Sequence, residues 1–143
     1  MGMTERWSEV NALLATIHPA SYDSEQNSGY VSLANYHRAV IIIHAGVIGG
    51  TLNVDIEEGT STAGAGAQSF DSAGKDVTIT ATTDNDTVSV IEIDADELDV
   101  PNGYTCINLE ITPASAGIFS AQIWGTVPRF APVATTNVHE ITD

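Results

Sequence analysis

Of the chain's 143 residues, 42 are β-branched: 12 valines, 14 isoleucines and 16 threonines. Such side chains are stiff at χ1 and suit a pleated, half-buried surface. Turn residues interrupt them at short intervals, and the combination specifies an antiparallel sandwich or barrel. Residues 37–45 are apolar almost throughout, as a central strand covered on both faces would be. Residues 46–50 reverse the chain into a strand over 51–57, where Leu52, Val54 and Ile56 alternate with Asn53, Asp55 and Glu57. A small-residue loop over 59–74 has Phe70 as its only large apolar group, and strands over 77–83 and 87–94 follow it. In the second of these the apolar phase slips from Val88 and Val90 to Ile91 and Ile93, which requires a bulge or burial on both sides. Turns at 101–103 and 113–117 bracket a strand over 104–112 with Ile107, Leu109 and Ile111 on one face. The last strand, 118–127, sets Phe119, Ala121, Ile123 and Val127 against Ser120, Gln122 and Thr126, so that Ile118 and Trp124 face outward. Residues 31–36 form a weaker strand, with a further short one near Leu98.

The two ends differ from this body. Across 4–17, Trp7, Val10, Leu14 and Ile17 recur at spacings of three and four, with Leu13 beside them, ahead of Pro19. That pattern predicts an amphipathic helix of about four turns, marginal alone and therefore docked on something. Residues 19–30 read as a linker, and 128–143, punctuated by prolines and spaced apolar groups, as an extended arm. The expected fold is thus all-β: an antiparallel β-sandwich or jelly-roll body over 31–127, a short N-terminal amphipathic helix and linker over 1–30, and an extended C-terminal arm over 128–143. Whether the ends pack on their own sandwich or reach a partner is open on the residues alone. A partner would bury Trp7, Val10, Leu14 and Ile17 from one end and Phe130, Val133, Val138 and Ile141 from the other. Each such side chain contributes roughly 1.5–3 kcal/mol on burial, before the cost of ordering it.

Charge narrows the function. Nineteen acids against four bases give a net charge of −15. Phosphate backbones and anionic membranes both call for basic patches, so neither nucleic acid nor membrane is an expected partner. No apolar run approaches the ~20 residues of a membrane span, and residues 1–6 lack the pattern of a signal peptide. The simplest reason for so acidic a chain is solubility, as in an adaptation to salty surroundings, and the charge also disfavours self-aggregation of a strand-rich chain with almost no lysines to guard its edges. The single cysteine, Cys106, leaves no internal disulfide and no thiolate metal cage, and it is read as a surface or interface thiol beside the inward Ile107. A Gly-x-Ser-x-Gly motif and a phosphate-cradling glycine loop are both missing from the sequence. His37 and His44 are seven apart on one strand and so fall on opposite faces, while His18 and His139 lie in the ends. An enzyme, a cofactor or a metal centre is therefore not expected.

Two features stay open. Asp94, Asp96, Glu97 and Asp99 alternate as calcium ligands do, yet the segment lacks the glycine and closing glutamate of an EF-hand loop, and a solvated acidic surface is the simpler reading. Trp124, facing outward, is covered by a neighbouring subunit, covered by the N-terminal helix, or serves as a sugar platform. Aromatic enrichment at interfaces favours the subunit.

From Tyr36-His37-Arg38-Ala39-Val40-Ile41-Ile42-Ile43 to Gly46 and Gly49-Gly50-Thr51, the chain resembles the capsid decoration, or cement, proteins of tailed bacteriophages. The similarity continues through Thr62-Ala63-Gly64-Ala65-Gly66-Ala67 and from Leu98 to Gly103-Tyr104, and covers residues 30–127. The resemblance implies a non-enzymatic virion protein on the outer capsid surface, bound to the major capsid protein as a trimer and bracing the shell against internal pressure. Extended arms would reach neighbouring subunits or the lattice. The alternative from the residues is a β-sandwich carbohydrate-binding or adhesin module, with calcium at the acidic segment and Trp124 as its platform.

Overall fold

The computed structural model describes residues 6–70 and 75–142. Residues 4 and 5 of the expected helix, residues 71–74 of the long loop and Asp143 lie outside them. The chain is an antiparallel sandwich of two sheets. The first contains β1 (Ala12–Tyr22), β4 (Tyr36–Ile48), β8 (Thr87–Asp94) and β10 (Gly117–Pro128) in the order β1-β10-β4-β8. The second runs β2 (Gln26–Asn27), β9 (Cys106–Pro113), β5 (Leu52–Gly59), β6 (Gln68–Ser69), with β3 (Val31–Ser32) on β9 and β7 (Val77–Ile79) on β5.

Alternation decides what lies between the sheets. Ala39, Ile41 and Ile43 of β4, Ile91 and Ile93 of β8, and Phe119, Ala121 and Ile123 of β10 are buried from one side. Leu52, Val54 and Ile56 of β5, Ile79 of β7, and Ile107, Leu109 and Ile111 of β9 meet them from the other, as their period of two predicts. Leu33, Phe70 and Leu98 enter the same core from loops. Successive long strands change sheets, β4 to β5 and β8 to β9 to β10, so the turns between them are arches. Two arches touch where the Gly49 N–H donates to the Ala116 carbonyl at 2.9 Å. A Cβ on Gly49 would stand 2.7 Å from that oxygen, and one on Gly50 2.6 Å from Ser115 Oγ, so the glycines permit the approach.

The N-terminal helix is the largest correction. Helix α1 spans only Trp7–Val10, and after Asn11 the residues Ala12–Tyr22 form β1, an edge strand paired with β10, instead of helix and linker. The spacing that predicts a helix joins unlike positions: Trp7 and Val10 belong to α1, Leu14 to a bulge of β1, and Ile17 to the core-facing side of that strand. Ala12 faces Gly125, a bulge absorbs Leu14, Ala15 and Ile17 face Ile123 and Ala121, and a second bulge at His18 and Pro19 precedes Ala20 opposite Phe119. The two bulges therefore break the strand's period of two, so β1 shows no simple alternation. Pro19 is tolerated because its bulge lies on a sheet edge.

Smaller differences have equally local causes. The slip in β8 is neither a bulge nor double burial: its register with β4 is unbroken from Thr87 to Asp94, and Val88 and Val90 simply face solvent. Strand β7 stops at Ile79 because Asp84 Oδ2 accepts the Thr80 N–H at 2.7 Å and the Asp84 N–H returns to the Thr80 carbonyl. Leu98 is buried in the core without belonging to a strand.

Candidate docking surface

The outer face of the four-stranded sheet is built by register. Leu13, Trp124, Val40 and Glu92 lie side by side across β1, β10, β4 and β8, and Thr16, Gln122, Ile42 and Val90 form the next row. Ser120, His44 and Val88 form a third. Trp7 is 61% exposed, Val88 54%, Val90 58% and Ile118 50%, with Val40, Ile42, Leu13 and Trp124 half-buried among them. Apolar groups thus occupy much of this face, where a lone sandwich would place polar ones.

Both chain ends are drawn to one corner of it. The Trp7 ring meets Trp124 edge to face, with centroids 4.6 Å apart and planes at 68°. Trp124 Nε1–H donates to Gln122 Oε1 at 2.9 Å. The arm after β10 has no regular structure, but it folds back: the Val133 N–H donates to the Glu9 carbonyl at 3.0 Å. Asn137 Nδ2 donates to the carbonyls of Leu13 and Leu14 at 2.9 and 3.0 Å, next to the bulge of β1. Helix and arm leave a groove of about 230 Å³ lined by Trp7, Leu13, Trp124, Val138, Glu140 and Ile141 among others. The ends accordingly pack on their own sandwich, and Trp124 is covered in part by the N-terminal helix.

The expected partner-binding residues divide three ways. Trp7, Trp124, Val138 and Ile141 converge on this groove. Val10 lines a neighbouring depression with Pro128 and Ala131, Val133 is half-buried beside the helix, and Phe130 is exposed. Leu14 packs against the core and Ile17 is buried within it, so the notion that both offer themselves to a partner is corrected: β1 turns Ile17 inward opposite Ala121. Val40, Ile42, Val88 and Val90 were missed as surface groups. Their signal was the phase slip in β8, which marks two valines on the outer side of an edge strand.

Other candidates also find their places. Cys106 is buried, not a surface thiol, because Ser32 of β3 and Gly59 of β5 flank it. His18 belongs to β1 and lines a shallow groove with His44 and Ser120 on the outer face, instead of lying in a loose end. The acidic segment is engaged by its own donors. Asp94 accepts from Arg38 Nε at 2.7 Å, Glu97 is 3.4 Å from Lys75 Nζ, and Asp99 accepts from Asn102 at 2.8 Å. Among the described residues no three His, Cys, Asp or Glu side chains are grouped to hold a metal, and no helix is long and apolar enough to cross a membrane.

The opposite outer face is acidic. Asn27, Glu110 and Asp55 are in register across β2, β9 and β5, and Asn108 pairs with Glu57 beside them. Asn108 Nδ2 donates to Asn27 Oδ1 at 2.8 Å and to Glu57 Oε2 at 3.1 Å, while Tyr30 O–H donates to Glu57 at 2.6 Å. Burial, then the charges of Glu25 and Glu57, a hydrogen bond with Glu25 and the charge of Asp55 raise the Glu110 carboxyl above its ordinary range. A raised folded-state value means that the native chain holds this proton longer than the unfolded one. Stability contributed by Glu110 is then present below the ordinary carboxyl value near pH 4.5 and is lost as pH rises through the raised one. Glu110→Gln is expected to remove that loss and to raise the thermal midpoint at neutral pH, as a denaturation series across pH would record.

No family model and no curated protein matches the chain. Among solved structures it is similar to a chain from "Structure of infectious bursal disease virus Gt strain", at 7% identity and a TM-score of 0.26. The match covers 84% of this chain and 42% of that one, and so slight a likeness bears on neither fold nor role.

Proposed function

We propose that the chain is a non-enzymatic virion protein that docks through the outer face of its four-stranded sheet on the outside of a tailed-phage capsid and stabilises the shell. The observation that carries docking is the contrast between the two outer faces, one with exposed Trp7, Val88, Val90 and Ile118, the other with Asp55, Glu57 and Glu110. An apolar face costs little to bury against a protein, whereas the acidic one remains hydrated. The capsid as the docking site, the major capsid protein as partner and a trimeric state are taken from the resemblance of residues 30–127 to decoration proteins. Contacts shared by linked copies on a lattice gain by effective concentration, so no single one need be strong.

Co-sedimentation with mature, expanded empty shells of the phage concerned tests this. The native chain is expected to pellet saturably. Val90→Asp places a charge in the proposed interface and should weaken pelleting by at least about tenfold, given the cost of burying an unpaired charge. Asn53→Asp, which adds the same charge to the opposite sheet, should leave it unchanged. A folded native chain that stays in the supernatant would refute capsid docking.

A further inference from the structure

We propose that the groove between Trp7, Trp124 and the C-terminal arm receives a cationic side chain, an arginine or lysine, presented by the protein surface on which the chain docks. The inference rests on the docking reading and adds the chemistry of the partner. In an edge-to-face pair the two indoles do not stack, so at most one ring face is used in the contact, and Trp7 is largely exposed beside the groove. The Trp124 N–H is already committed to Gln122, so that ring's remaining contribution is its π surface. Glu140 lines the same groove, and among the described residues it makes no ion pair. None of the chain's four Lys and Arg residues lines it. Arg38 is held instead by Asp94 and Glu92, and Lys75 by Glu97.

Aromatic faces with a carboxylate at the rim attract a cation through the ring quadrupole and through direct charge. Leu13, Val138 and Ile141 supply the apolar wall along which the methylene stem of a long basic side chain packs. Arginine fits better than lysine, since its planar guanidinium stacks on indole and forks onto a carboxylate. The net charge of −15 draws basic surfaces toward the molecule from a distance. A sugar would find fewer partners here, because Asn11 Nδ2, in the same lining, is spent on the Trp7 carbonyl.

The chain's two tryptophans both belong to this groove, so tryptophan fluorescence, excited selectively over the four tyrosines, reports on it. Titration of the full chain with Nα-acetyl-arginine amide should give a saturable change, and the uncharged citrulline amide none. Trp7→Ala should weaken the arginine response about tenfold, the scale of a partly desolvated cation–π contact, and Trp7→Phe should retain most of it. Glu140→Gln should also weaken it and reduce its dependence on salt. Equal responses to both amides, no response to either, or saturation by a neutral monosaccharide but not by arginine amide would overturn the proposal. Shell co-sedimentation separates the two readings. Pelleting that persists while arginine amide neither binds nor competes would sink the cation site and leave docking intact. Arginine binding by a chain that never pellets would overturn the assignment of the cation to a docking surface.

Discussion

Phe119→Ala is expected to lower stability by about 3–5 kcal/mol, the usual cost of removing a fully buried aromatic ring. Phe119 is completely buried near the start of β10, where β1 and β4 flank it, and its ring lies 5.0 Å from that of Tyr22. Its cross-strand partners, Ala20 and Ala45, are both too small to grow into the space. Domains of this kind hold about 5–15 kcal/mol in total, so the variant should sit near the edge of folding. Urea unfolding followed by circular dichroism measures the change. The exposed Trp7→Ala, by contrast, should shift stability by no more than about 1 kcal/mol. Comparable losses from both substitutions would mean that the core is not where the two sheets place it.

The second large effect concerns the N-terminal strand. A chain starting after Tyr22 is expected not to fold, although the sequence alone marks that segment as a detachable helix and linker. Loss of β1 removes Ala12 and Ile17 from the core, strips Tyr22 from Phe119 and leaves β10 from Gly117 to Gly125 paired on one side only, with β4. Long-range pairing of this kind cannot be recovered locally. A chain ending at residue 133, which gives up the Asn137 contacts but no strand, should keep its fold. Circular dichroism and resistance to proteolysis distinguish the cases, and a native spectrum from the N-terminally shortened chain would contradict the assignment of β1.

What was legible in the sequence follows from how each strand meets the core. Strands β5, β9 and β10 bury one face without interruption, so Leu52, Val54 and Ile56, or Phe119, Ala121 and Ile123, announce themselves by strict alternation. The outward setting of Ile118 and Trp124 came from the same phase. Strand β1 was hidden because two bulges break its period of two, and because an edge strand with Pro19 is formed by its neighbour more than by its own propensity. The valines of β8 were visible as a phase slip, but whether such a slip signals a bulge, double burial or an exposed apolar face depends on the facing strand. The meeting of Trp7 with Trp124 was beyond any local pattern, since they stand 117 positions apart and only the pairing of β1 with β10 brings them together.

The most direct test of docking through the four-stranded sheet is hydroxyl-radical footprinting of the chain, free and bound to mature shells. Oxidation at Trp7, Trp124, Val88 and Val90 should fall on binding, while labelling of Tyr30 and Thr112 on the acidic side stays the same. Protection confined to the acidic face, with the tryptophans labelled equally in both states, would contradict it.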